Sequence, residues 1–217
     1  MAYYRMNTSK LSVRECFRFG GVMAPMLLVF KVLRVNLAGQ EVCACDIHDL
    51  IMIEDGQLES RCEEAPGVND LRRDVLESGG EFLFGYTLPP HHTKMFSLVY
   101  LVSNRCLVEI IHTNAEETYT MVVALTPMEP HNEKVTVLFP PKKGMDPDPL
   151  DDGKKLASGT VRELLELHQA RPSKSPLKSL PETHEQVLSY IVGRNQRAIQ
   201  RFVRRGLYAP LPPDDEY

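Results

Sequence analysis

The chain has 217 residues, 43% of them hydrophobic and 25% charged, with a formal charge of −4. That much apolar material supports a packed core and excludes wholesale disorder, and the length fits one ordinary domain plus an appendage or two small domains. No apolar run reaches membrane-spanning length: the best, Val22 to Val35, is broken by Lys31 and Arg34, so no membrane span is expected.

The start, MAYYRMNTSK, lacks the apolar stretch of a secretion signal. Cys16, Cys43, Cys45, Cys62 and Cys106 are five in number, an odd count that reads as reduced thiols. An intracellular protein, cytoplasmic or nuclear, is expected. Charge is divided by position: residues 1–152 carry 14 Lys and Arg against 22 Asp and Glu, whereas residues 153–213 carry 11 against 4. Such asymmetry marks a tail that meets something else.

In chain order, Val29 to Leu37 alternates like a strand, Ala38-Gly39-Gln40 reads as a hairpin loop, and Val42 to Asp46 returns. Leu50 to Ile53 is a short apolar run. Residues 57–80 are a polar connection with a short helix at Val68 to Glu77. From Glu81 the pattern sharpens. Strands are expected at Glu81–Thr87, Met95–Val102, Cys106–His112, Tyr119–Leu125 and Val135–Phe139, joined by short polar turns. This is an antiparallel meander, to be housed in a sandwich or barrel.

Pro140 to Gly153 holds four prolines and reads as a linker. Thr160 and Glu163 have capping-box spacing and open a helix to about His168 or Ala170. The last helix, roughly 182–205, is the most patterned segment. Val187, Leu188, Ile191, Val192, Ile199, Phe202 and Val203 share one face. Arg194, Arg197, Arg201 and Arg204 form a stripe on its flank, followed by Arg205. Gly193 is a place where the helix could split.

These features predict an α+β fold: a strand-rich body (1–140), a Pro/Gly linker (141–157), a basic helical region (158–206) and an extended acidic tail (207–217). The body is an antiparallel β-sandwich or barrel, followed by the helical C-terminal region.

Candidate chemistry is sparse. Cys43, Cys45 and His48 offer three metal ligands, but tighter than the usual cysteine spacing of structural zinc sites, so buried apolar cysteines are the simpler account. His91 and His92 follow two prolines and could form a loop-borne acid/base pair or an ordinary exposed loop. No P-loop, G-x-G-x-x-G, G-x-S-x-G or HExxH pattern is present. No catalytic residue, metal or other cofactor is assigned.

Thr160-Val161-x-x-Leu164-Leu165, then Leu180-Pro181-Glu182, then Val187-Leu188-x-Tyr190-Ile191 resembles a SOCS box. Leu165 stands in the position of the family's cysteine, and the second proline of its turn is missing. The resemblance implies binding to elongin C and a role as a ubiquitin-ligase substrate receptor. That is one alternative, and an enzyme without a recognisable motif is another. The leading expectation is a non-enzymatic interaction or adaptor protein. Its basic helix, through Arg194, Arg197, Arg201, Arg204 and Arg205, would recruit a protein or a nucleic acid.

Overall fold

In a computed structural model of the chain, residues 2–20, 23–33, 41–44, 47–87, 95–103, 105–114, 118–130, 132–140, 152–180 and 183–211 are described. Two compact units are each assembled from segments distant in sequence. The first takes Met1–Asp49, Lys142–Asp146 and Leu188–Tyr217, and the second takes Leu50–Pro141 and Pro147–Val187. Charge sorts by unit: thirteen Lys and Arg against eight Asp and Glu give the first +5, and twelve against twenty-one give the second −9.

The second unit is built on a seven-stranded sheet. Its strands are β3 (Ile51–Met52), β4 (Glu81–Thr87), β5 (Met95–Ser103), β6 (Cys106–Asn114), β7 (Thr118–Met128), β8 (Asn132–Leu138) and β9 (Asp152–Leu156). They lie in chain order, antiparallel throughout except for the parallel pair β8–β9. The expected meander is present. The sheet is open, ending at β3 and β9, and is not a closed barrel.

Helices α3 (Asp55–Glu64), α4 (Val68–Glu77) and α5 (Val161–Ala170) pack on one face of that sheet. The period-2 rule puts Leu98 and Tyr100, Val108 and Ile110, and Val122 and Ala124 on this face, where Leu58, Cys62, Val68, Val75, Leu164 and Leu165 meet them. Gly79 closes α4 in the left-handed region, at φ 84°, a conformation that glycine adopts without a Cβ penalty. The capping box of α5 forms as expected: the Glu163 amide donates to Thr160 Oγ1 (3.2 Å) and the Thr160 amide donates to Glu163 Oε2 (2.8 Å).

The first unit holds β1 (Ala2–Met6) between β2 (Glu41–Ala44) and β10 (Tyr208–Pro210), both antiparallel to it. It also holds α1 (Val13–Gly20), α2 (Ala24–Val32) and, from Leu188 onward, α6 (His184–Arg204). Leu11, Cys16 and Leu207 form one small core, supported by Leu27, Leu28 and Phe202. Met6, Ile199 and Tyr208 form another with Tyr4, Phe202 and Val203.

Two local expectations are corrected. Residues 29–32 belong to helix α2 and not to a strand: the run APMLLVFKV is apolar on every side, so alternation cannot be told from a helix by pattern, and Pro25 in the first turn favours the helix. Residues 34–40, with the expected hairpin loop, lie outside the described residues. In the stretch read as a linker, Asp152–Leu156 form β9, while residues 141–151 lie outside the described residues.

The small cores make the first unit sensitive to single truncations. Leu207→Ala removes a fully buried side chain and should lower stability by about 2–5 kcal/mol in a denaturant titration. It should also speed hydrogen exchange at the Asn7 amide, which donates to the Leu207 carbonyl at 2.6 Å. Unchanged exchange at Asn7 would contradict this coupling of the two chain ends.

Candidate functional site

Helix α6 carries the arginine row and runs unbroken through Gly193. The guanidinium of Arg197 folds back over that glycine, where an added Cβ would meet its Nη1 at 3.2 Å. Val187, Ile191, Val192 and Ile199 are buried, as their shared face requires.

The arginines are not equivalent. Arg204 is exposed. Arg194, Arg197 and Arg201 are half-buried, and each is already engaged within the protein. Arg201 lies over the Phe202 ring at 4.6 Å, a cation–π contact. Arg205 donates through Nη2 to both oxygens of Glu15, at 3.0 and 2.9 Å, and Glu15 is 0% exposed. Sequence reasoning grouped Arg205 with the stripe; its partner lies 190 residues away and no local pattern points to it.

The second unit contains a buried polar cluster that the sequence reading missed. His168 on α5 sits between two strand threonines, with Nε2 2.9 Å from Thr126 Oγ1 and Nδ1 2.9 Å from Thr136 Oγ1. A neutral imidazole has one donor and one acceptor, and two hydroxyls satisfy both. Burial, reinforced by the positive charges of Lys134 and Arg171, pushes its pKa down to about 4. Its only sequence signal is its place in the apolar spacing Val161, Leu164, Leu165, His168.

Beside it, the Lys134 ammonium donates to the Arg171 carbonyl at the end of α5. Burial lowers the pKa of Lys134, and the Arg171 charge adds to the effect. Arg171 in turn reaches Asp152 at 2.6 Å and the carbonyls of Asp152 and Val135 at 2.8 and 3.1 Å. This ties α5 to β8 and β9. On β6, burial pushes the Cys106 thiol up to about 11, which makes it a poor nucleophile. Cys16 and Cys62 are also free and buried, with thiol pKa values raised by burial.

An open pocket of about 400 Å³ lies where α4 begins beside β6 and β7, lined by Leu71, Asp70, His112, Tyr119, Thr120 and Phe139 among others. His112 holds Thr120 Oγ1 at 2.8 Å from Nδ1, and its ring leans on Phe96 at 5.3 Å. Burial lowers its pKa, so it is neutral at pH 7. Phe139 has φ 55°, uncommon for a bulky residue. The Asp70 carboxylate at the start of α4 opposes an anion there.

Of the other sequence candidates, His48 is exposed and Cys43 lies on β2, while Cys45, His91 and His92 lie outside the described residues. No cluster of three His, Cys, Asp or Glu able to hold a metal occurs among the described residues. Leu164 and Leu165, which a SOCS-box role would turn toward a partner, are part of the sheet unit's core, and Leu180 and Ile191 are buried too. No helix among the described residues is long and apolar enough to cross a membrane. The chain matches no protein-family model, no curated protein and no solved structure.

His168 makes a pH prediction. The unfolded side chain protonates near 6.5 and the folded one near 4. Stability from this site is therefore complete above about pH 6.5 and is lost as pH falls toward 4, by about 3 kcal/mol. His168→Gln should be less stable than wild type at pH 7, and the gap should narrow as the pH approaches 4. A gap that stays constant across this range would contradict a neutral, clamped imidazole.

Proposed function

We propose that the chain is a non-enzymatic, intracellular interaction protein. Its acidic sheet unit is a scaffold, and its cationic unit recruits an acidic protein partner through the flank of α6. The observation that carries the reading is the sorting of charge by compact unit, +5 against −9. A field of one sign over a unit steers an oppositely charged partner toward it. The buried and half-buried polar groups also favour a scaffold over a catalyst: His168, Lys134, Arg171, Asp152 and Glu15 are committed to partners inside the protein.

Within α6 the arginines divide the labour. Arg205, just past the helix, holds its end through Glu15, Arg201 stacks on the neighbouring Phe202 ring, and Arg194, Arg197 and Arg204 supply the cationic flank. The test changes these three to glutamine and leaves Arg201 and Arg205 in place. Polyglutamate is one probe and a DNA duplex the other, each titrated with salt. Polyglutamate should bind wild type more tightly than the variant by about tenfold, with a steeper salt dependence. The variant's melting temperature should fall by no more than a few degrees, since the contacts of the half-buried Arg194 and Arg197 are worth about 1 kcal/mol or less. Equal affinity and equal salt slope would contradict the proposal. Tighter binding of DNA through the same arginines would replace the acidic protein with a nucleic acid.

A further inference from the structure

The helix pair α1–α2 presents an apolar outer surface with cations beside it. On α1, Glu15 and Cys16 turn inward and are fully buried, while Val13 and Phe17 are 54% and 56% exposed. At 100° per residue, Arg14 and Arg18 follow directly around the helix from Val13 and Phe17. The outer side of α1 is thus half apolar and half cationic. On α2, Ala24, Leu27 and Leu28 face inward, the two leucines joining the Leu11–Cys16–Leu207 core. Lys31 also turns inward and donates to the Leu11 carbonyl at 2.6 Å. The outward arc is Met26, Val29, Val32 and, just past the helix, Leu33. Val32 is 80% exposed and Leu33 65%.

Scattered exposed apolar residues are ordinary, but a group of them on the outer sides of two packed helices marks an interaction surface. The occupant follows from the chemistry of its rim. Beside the apolar residues of α1, Arg14 is exposed and Arg18 half-buried, whereas Glu15, the acidic side chain of that helix, is buried and paired. A second copy docked on this face by a two-fold would set the same cations against each other. A protein partner would bring hydrogen-bonding groups to the interface, as protein interfaces do. The outer arc of α2 offers them no side-chain donor or acceptor. A lipid surface asks for none: it takes an apolar helix face with cations beside it, and it is held by burial plus attraction to anionic headgroups.

We propose that the α1–α2 face docks on the surface of an anionic membrane, lying in the interface without spanning it. The nine residues of α2 reach only about 14 Å, less than half a bilayer core. The face draws on residues other than Arg194, Arg197 and Arg204 and does not rest on the recruiting role proposed for them.

The test uses the full chain with phosphatidylcholine vesicles, with and without phosphatidylserine. The protein contains no tryptophan, so Val32→Trp supplies a single reporter. Its emission should shift to the blue, and the protein should sediment, only with phosphatidylserine vesicles, and salt should weaken both effects. Val29→Asp combined with Val32→Asp should reduce vesicle binding at least tenfold. Arg14→Gln, which removes the exposed cation of α1, should reduce the dependence on phosphatidylserine. All the substituted side chains are exposed, so circular dichroism should be unchanged. Failure to bind phosphatidylserine vesicles, or equal binding by the aspartate variant, overturns the proposal. So does a dimer in light scattering that the aspartate variant dissolves, which would make the face a contact between copies. Polyglutamate binding lost in the aspartate variant, without vesicle binding, would make the occupant an acidic protein and also overturns it.

Discussion

A carboxylate with no exposed surface needs a partner. Glu15 is such a group, and the Arg205 guanidinium meets it at 2.9 Å from the other end of the chain. The same carboxylate accepts from the Ser12 amide at 2.7 Å, while the Glu15 amide donates to Ser12 Oγ at 3.1 Å, so it also caps helix α1. Removing one partner of a buried ion pair leaves an uncompensated charge, a far larger penalty than the pair's own net contribution. The rest of the first unit follows from this closure. With residue 205 fixed at residue 15, Leu207 enters the core beside Leu11 and Cys16, and β10 pairs with β1. Arg201 and Arg205 bracket the Phe202 ring, which leans edge-on against Tyr208.

The closure changes what the C-terminal helix is. In the sequence it resembles a basic tail attached through a linker to an acidic body. In the structure most of α6 shares a compact unit with β1, α1, α2 and β2, all of which lie before residue 50. Likewise β9 and α5, which follow the proline-rich stretch, complete the sheet unit: Val161, Leu164 and Leu165 fill its core, and His168 joins α5 to β7 and β8. A cut in the proline-rich stretch therefore removes parts of both units. The charge asymmetry is a property of the units and only partly of position along the chain.

Local patterns were legible where one face of an element decides its period. The meander from β4 to β8, helix α4, the capping box of α5 and the buried face of α6 were all readable from alternation or 3.6-residue spacing. The run MLLVFKV was not, because both sides of α2 are apolar and one of them faces outward. Ser12-x-x-Glu15 carries the same capping-box spacing as Thr160-x-x-Glu163 and was readable in principle. The Glu15–Arg205 pair and the His168 clamp were not readable, because each joins residues whose separation only the fold determines. The two strand threonines give no sign from sequence that a histidine will bridge them.

The most direct test of the closure is a double-mutant cycle on Glu15→Gln and Arg205→Gln, read by denaturant unfolding. The pair is half sheltered, with the arginine side chain 33% exposed and the carboxylate fully buried. Arg205→Gln alone should cost more than Glu15→Gln alone, because it strands a buried charge. The two should couple by about 2 kcal/mol, the double variant being less unstable than the sum of the singles. Additivity within about 0.5 kcal/mol would mean that the chain ends are held together by something other than this pair.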